Sequence, residues 1–269
     1  MEQAADFLAE TNALAAALAS APDAAFQEAT QFKGWTINDV IRHLHFWNCA
    51  AGMQLQDEAG LVRLLGGIPA AGGMRAAERA AVPETGQALR AVWLTTAAGV
   101  AAAFDGADPK ARLKWAGPDM SARSSMTARL METWAHGQEV FDHLGLERVD
   151  HDRIRNIAHL GVITFGWTYE VRKMQPPPQA PYVALRAPSG ALWEWGEAGG
   201  EDAVSGSASE FCQVVTQVRN IADTQLVVTG PVAEQWMGMA QCFAGAAETP
   251  PAPGTRYRRT RARAGDTSV

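Results

Sequence analysis

Residues 128–145 read ARLMETWAHGQEVFDHLG, a pattern that predicts a long and well-buried α-helix. Ser124 or Ser125 can cap the start of this helix, and Gly145 ends it. Glu132 and His136 lie one turn apart on the same face, so both side chains can reach a single metal ion. Because a buried Glu and a buried His both need partners, this pair is the first candidate for a functional site.

Another candidate histidine lies on an earlier predicted helix, which begins at Thr36 and continues to about residue 55. Thr36 followed by Asp39 is close to a capping box, which marks the start of a helix. His43 and His45 are ~200° apart around the helix, so they cannot share a face. We take His43, on the same face as Asp39, as the candidate ligand. Asp39 is either the hydrogen-bond acceptor of His43 or, as we favour, the capping residue.

His143 is an alternative ligand, because it follows His136 on the same helix face. It lies two turns further on, near the helix C-terminus, where a protonated histidine interacts favourably with the helix dipole. We favour that structural role for His143, and we interpret His151 and His159 as structural or exposed.

Further helices are predicted over residues 3–20, from Pro83 to Gly106 and over about 151–174, with a glycine- and proline-rich loop at 66–73. Helices joined without strands indicate a helical bundle. After the triple proline at 176–178 the pattern changes to short alternating runs. Residues 182–186 and 192–195 predict a hairpin, 225–230 a strand, and 207–219 and 231–244 helices.

The fold class predicted is therefore α plus α+β. We expect a four-helix bundle over residues 1–176, a small α+β domain over 180–246 and a disordered arginine-rich tail over 247–269.

Composition restricts the class of protein. The formal net charge is −6, and three widely spaced cysteines form no CxxC pair. We expect no nucleic-acid partner, no disulfide scaffold and no cysteine zinc site. The acidic N-terminus does not resemble a secretory signal, and no apolar stretch is long enough for a membrane span. These features favour a cytoplasmic protein, and they leave the oligomeric state open.

Three residues near the predicted metal-binding helix are candidates for substrate binding. Trp115 lies in the connection before the helix, where it can line a site entrance. Arg123 and Arg129 can each bind a carboxylate through two hydrogen bonds. The alternative for both arginines is a solvated helix face.

Two segments resemble a known family. GWTINDVIRHL (34–44) and ARLMETWAHGQEVFDHLG (128–145) are similar to the signature segments of the DinB-like metal-binding superfamily, and in particular to its mycothiol-dependent maleylpyruvate isomerase-like branch. The segment from Trp193 to Gly245 resembles the small, sterol-carrier-like C-terminal domain of that branch. The chain also resembles an uncharacterised subgroup of two-domain metal-binding proteins, some of whose C-terminal domains have been likened to the wyosine base-formation domain.

The resemblance implies a divalent metal held inside the bundle by His43, Glu132 and His136. This donor set favours zinc, with nickel as a second candidate, and three protein ligands leave a position open, as in catalytic sites. The resemblance further implies a low-molecular-weight thiol such as mycothiol or glutathione. The expected activity is an isomerase or S-transferase acting on a small carboxylated or unsaturated substrate.

Two other functions remain open from the sequence. One is a non-catalytic protein that binds a small molecule or lipid and holds a structural metal. The other is an RNA-associated accessory protein acting through the arginine-rich tail, which the acidic body disfavours.

Overall fold

The structure is a computed structural model that describes residues 1–260. Within that range the chain forms ten α-helices, short 3₁₀ turns and six strands. The helices are α1 (Glu2–Leu18), α2 (Ile37–Gln56), α3 (Glu58–Gly67), α4 (Met74–Ala81), α5 (Gly86–Asp105), α6 (Ala122–His143), α7 (Arg155–Ile163), α8 (Phe165–Glu170), α9 (Ala208–Val215) and α10 (Pro231–Met237). The strands are β1 (Arg112–Leu113), β2 (Met120–Ser121), β3 (Tyr182–Arg186), β4 (Leu192–Trp195), β5 (Ala203–Ser207) and β6 (Val227–Thr229).

Four long helices form a closed bundle. α1 packs against α5 and α6, and α2 packs against the same two helices from the other side. Their inward faces are apolar: Phe7, Ile41, Trp93 and Trp134 are all fully buried. Removing these faces from water is the main force that holds the four helices together. The predicted four-helix bundle is confirmed.

The start of α2 is fixed by a complete capping box. The Thr36 hydroxyl accepts a hydrogen bond from the Asp39 backbone N–H at 3.1 Å, and the Asp39 carboxylate accepts one from the Thr36 backbone N–H at 3.1 Å. The capping role predicted for Asp39 is therefore observed. Asp39 also binds Arg75 at 2.7 Å, and so its carboxylate is fully engaged at the helix start.

Two parts of the bundle differ from the sequence prediction. The region expected as a loop at 66–73 contains the end of α3, and α4 follows it at Met74. α3 ends at the second of the two adjacent glycines, Gly67, and its start is capped by the Asp57 side chain, which accepts a hydrogen bond from the Gly60 backbone N–H at 2.8 Å. The connection after α5 was expected without strands, yet β1 and β2 pair there as a short antiparallel ribbon.

The C-terminal part is a mixed sheet covered by helices. Its strand order is β4-β3-β5-β6, with β3 and β5 parallel and the other two pairs antiparallel. The hairpin β3–β4 was predicted, whereas β5 was missed, and α9 and α10 are shorter than expected. α9 packs against α7, so the apolar core continues from the bundle into the sheet. The predicted fold class, helices followed by a small α+β part, is confirmed, while independent domains and the sterol-carrier likeness stay predictions.

Residues 247–260 form an ordered segment, although their composition suggests a disordered tail. The Arg256 side chain binds Glu139 of α6 at 3.1 Å, and the Arg259 backbone N–H donates to the Asp142 carbonyl at 2.9 Å. A buried acidic side chain and a backbone carbonyl of α6 thus provide partners for two arginines that were expected to face water. Residues 261–269 lie outside the described residues. No helix of the described part is both long and apolar enough to cross a bilayer.

Candidate metal centre

Three side chains predicted as ligands lie together in the structure. His43 of α2 and His136 of α6 each direct Nε2 at the same carboxylate oxygen, Oε2 of Glu132, at 3.5 Å and 3.3 Å. All three donor atoms lie within 4.8 Å of one another. Ligand bonds of ~2.1 Å to a common ion allow donor atoms to stand 3–4 Å apart, so a modest adjustment would place all three around one metal.

A carboxylate that the sequence analysis missed fixes the orientation of His43. Glu78 of α4 is 2% exposed, and its Oε1 lies 2.6 Å from Nδ1 of His43. With the proton on Nδ1 donated to Glu78, the Nε2 lone pair points at the centre. This is the usual arrangement around a metal-binding histidine. Asp39, the alternative acceptor, is instead occupied by the helix cap and Arg75.

Aromatic rings enclose the histidines on their outer side. Trp35 is stacked on His136, with ring centroids 5.6 Å apart and an interplanar angle of 6°. Phe32 meets the same imidazole edge-on at 5.2 Å. Lys33 and Gly34 between them adopt left-handed backbone conformations, with φ of 49° and 69°, and this tight turn allows both rings to face His136.

The electrostatics prepare Glu132 and His136 as ligands, whereas His43 must release a proton: burial lowers the pKa of His43, but hydrogen bonds to Glu132 and Glu78 outweigh burial and raise that pKa overall. Burial disfavours the charged form of Glu132, but hydrogen bonds from His136 and His43 hold its pKa well below the usual value. Burial lowers the pKa of His136, which favours its neutral form. Metal ions bind an ionised carboxylate and a neutral imidazole, so both groups are in the required state near neutral pH.

The donor set fits a divalent metal. Two imidazole nitrogens and one carboxylate oxygen are a common set for zinc, and nickel accepts the same ligands. His143, the alternative ligand, does not join them: its Nε2 binds Glu28 at 3.0 Å. Within residues 1–260 the group contains three candidate ligands, which would leave room for a further ligand from the cavity.

A cavity of about 230 Å³ opens onto this cluster. Its walls come from the turn before α2, from α6, from the region after α9 and from the C-terminal segment. The residues that line it are Phe32, Lys33, Trp35, His43, Met131, Glu132, Ala135, His136, Glu139, Thr216, Gln217, Val218, Phe243, Glu248, Thr249 and Arg256. The candidate site is thus completed by residues far from the bundle in sequence.

The residues predicted to bind substrate do not line this cavity. Arg123 is exposed, and as it stands nine residues before Glu132 it points about 180° away around the helix. Trp115 lines a separate cavity beside Trp47. Arg129 is 4% exposed and lies 5.8 Å from the centroid of the Trp115 ring, with its Nη1 lacking a hydrogen-bond partner among residues 1–260. The geometry therefore does not bring Arg123 or Trp115 to the metal centre.

Glu139 and Arg256 line the cavity without having been predicted as site residues. The sequence carried a signal for Glu139, since it continues the helix face of Glu132 and His136 at a spacing of three. No local signal identified Arg256, because its place depends on how the C-terminal segment returns to α6.

Comparison with known proteins identifies the family of this chain. The family model of the mycothiol maleylpyruvate isomerase N-terminal domain matches residues 7–141, from α1 through most of α6. The uncharacterised proteins MT0041 and Rv0036c of Mycobacterium tuberculosis are each 39% identical over 245 residues, which is 90% of this chain and 95% of each relative.

Among solved structures, the crystal structure of the mycothiol-dependent maleylpyruvate isomerase is similar at 19% identity and a TM-score of 0.49. The match covers 79% of this chain and 87% of that one. The family match spans half of the chain and includes His43, Glu132 and His136. The chain therefore belongs to the DinB-like family of mycothiol maleylpyruvate isomerase N-terminal domains.

Proposed function

We propose that this protein is a metal- and thiol-dependent isomerase or S-transferase acting on a small, carboxylated, unsaturated substrate. The observation that carries the proposal is the convergence of His43 Nε2, His136 Nε2 and Glu132 Oε2 at one end of a cavity. The family to which the chain belongs supports mycothiol as the thiol and maleylpyruvate as the first substrate to test.

His43, Glu132 and His136 would hold the metal, zinc first and nickel second, and Glu78 would orient His43. When bound, the metal lowers the pKa of a thiol beside it, so that a thiolate is available near neutral pH. Trp35 and Phe32 cover one side of the centre and limit the access of water.

The reaction needs no co-reactant besides the thiol. The thiol releases its proton to solvent, and the thiolate sulfur forms a bond to the carbon β to the substrate carbonyl. The electron pair of the C=C bond moves onto the carbonyl as an enolate. Rotation about the resulting single bond, collapse of the enolate and cleavage of the C–S bond return the thiolate and the trans isomer. An S-transferase would instead protonate the enolate and retain the thioether.

The non-catalytic alternative, a binding protein with a structural metal, is less well supported. Structural zinc sites have four protein ligands, and His143, the candidate fourth ligand, is bound to Glu28. A cavity beside the three donor atoms also favours a site that accepts a further ligand.

The test is an isomerisation assay on zinc- and nickel-loaded protein. Maleylpyruvate would be incubated with mycothiol, with glutathione or without thiol, and its trans isomer measured by chromatography. We expect turnover only with a thiol, and a loss of at least 100-fold in His43→Ala.

His45→Ala is the matched control for this variant. His45 lies two residues away on the opposite side of α2, beside Cys49, and the control should retain activity. Turnover without thiol, or equal activity in His43→Ala and wild type, would contradict the proposal.

A further inference from the structure

Hydrogen bonds between the backbone of the C-terminal segment and side chains from other parts of the chain hold this segment against the cavity. The Asn220 side chain donates to the Pro251 carbonyl at 2.8 Å. The Tyr257 backbone N–H donates to Gln31 Oε1 at 2.8 Å. These contacts lie on either side of Arg256 along the chain, so the segment places this arginine at a defined position.

Arg256 directs its side chain inward, unlike its neighbours. The side chain is 11% exposed, and its guanidinium lies 4.9 Å from the centroid of the Phe32 ring. Nη1 donates to Glu139 Oε1 at 3.1 Å and to the Gln217 carbonyl at 3.0 Å. Among the described residues Nε and Nη2 have no hydrogen-bond acceptor, so these donors remain available to a ligand in the cavity.

Glu139, the ion-pair partner of Arg256, neutralises the positive charge of the guanidinium only in part. Glu139 is 1% exposed, and its Oε2 has no hydrogen-bond partner within residues 1–260. Burial raises the pKa of Glu139 to about 7, and Asp142 acts in the same direction, while Arg256 and Arg219 lower it. Near neutral pH a fraction of the molecules therefore holds Arg256 opposite an uncharged carboxyl group.

The other cation in the cavity wall is less suited to a ligand. The Lys33 ammonium is about half exposed and is paired with Glu248 at 3.0 Å, so water already solvates its charge. The buried guanidinium of Arg256 is less hydrated than the Lys33 ammonium. An ion pair with an incoming anion therefore stabilises Arg256 more than it would stabilise Lys33. Arg256 is the stronger candidate for anion binding at this site.

We propose that Arg256 binds a carboxylate of the substrate, which replaces Glu139 as the ion-pair partner of the guanidinium. The inference rests on the proposed function and refines it, since it assigns the recognition of the substrate's carboxylate to a residue outside the bundle. The specificity that follows is for small anions: an ester or amide of the same substrate lacks the charge that Arg256 requires.

The experiment measures binding of maleate, a dicarboxylate used as a probe, to the zinc-loaded full chain by isothermal titration calorimetry at pH 7. We expect Arg256→Gln to weaken binding by about 10- to 100-fold, the range for a lost charge-assisted pair, with unchanged zinc content. Arg258→Gln is the matched control. Arg258 is half exposed, binds Glu147 on the surface and should not affect the affinity.

A second variant distinguishes an exchange of the ion-pair partner of Arg256 from a purely structural role of the Arg256–Glu139 pair. Glu139→Gln removes the internal competitor for Arg256, so maleate should bind at least as tightly as in wild type, and more tightly at pH 8. A purely structural role for the pair predicts weaker binding in this variant.

Wild-type affinity in Arg256→Gln, or the same loss in Arg258→Gln, would overturn the inference without touching the metal centre. Maleate binding that depends on Arg256 in a protein that isomerises nothing would instead sustain the inference and remove the proposed function.

Discussion

Replacing Glu78 with Gln is the sharpest way to perturb the metal centre without removing a ligand. Glu78 lies 2.6 Å from His43 and is 2% exposed, so this hydrogen bond is shielded from water. Gln can still accept a hydrogen bond from Nδ1, but it lacks the charge that makes the imidazole a stronger donor to a metal. Changes of this kind lower metal affinity by about 10- to 100-fold, which corresponds to about 1.4–2.7 kcal/mol.

The assay is competition for zinc against a chromophoric chelator, followed by absorbance. Glu84→Gln provides a matched control, since Glu84 interacts with His45 rather than with His43. Thermal unfolding without metal would establish that both variants fold. If Glu78→Gln binds zinc as tightly as wild type, while His43→Ala does not, the carboxylate has no part in preparing the ligand and our account of α4 is wrong.

Three further predictions concern stability. The pKa of about 7 for Glu139, against an ordinary 4.5, means that the unfolded chain loses this proton before the native state does. The free energy of unfolding of the wild type should therefore fall by about 2–3 kcal/mol between pH 5 and pH 8, relative to that of Glu139→Gln, as measured by urea unfolding. The same pH dependence of this free energy in both proteins would refute the prediction. Gly161→Ala would place a Cβ 2.8 Å from a side-chain atom of α9 and should cost about 1–3 kcal/mol, whereas Gly166→Ala has space and should not destabilise. Thr36→Ala removes the cap of α2 and should cost about 1 kcal/mol, and Thr85→Ala, at a helix start without a side-chain cap bond, should cost less.

The parts of the site that could be predicted from sequence are those set by local geometry. Glu132 and His136 share a face because of the helix repeat alone, and Thr36 with Asp39 marks the start of the helix that carries His43. The same arithmetic would have excluded Arg123, which points away from Glu132 around the helix. These inferences need no knowledge of how the helices pack.

The parts that could not be predicted depend on contacts between distant segments. Glu78 reaches His43 because α4, a helix that was not predicted and that follows the expected loop at 66–73, folds back on α2. Arg256 enters the cavity because a buried carboxylate of α6, Glu139, binds a segment whose composition suggested disorder. In both cases a charged residue is buried beside a partner far away in the chain, and local sequence carries no information about that partner.

The central claim is that His43, Glu132 and His136 together hold one divalent metal ion. Elemental analysis of tag-free wild-type protein beside Glu132→Ala and His136→Ala tests it most directly, with circular dichroism to establish folding. The account predicts close to one zinc or nickel per wild-type chain and its loss in both variants. Wild-type protein that remains free of metal after reconstitution with zinc and nickel would contradict the claim and reduce the cluster to a buried polar contact.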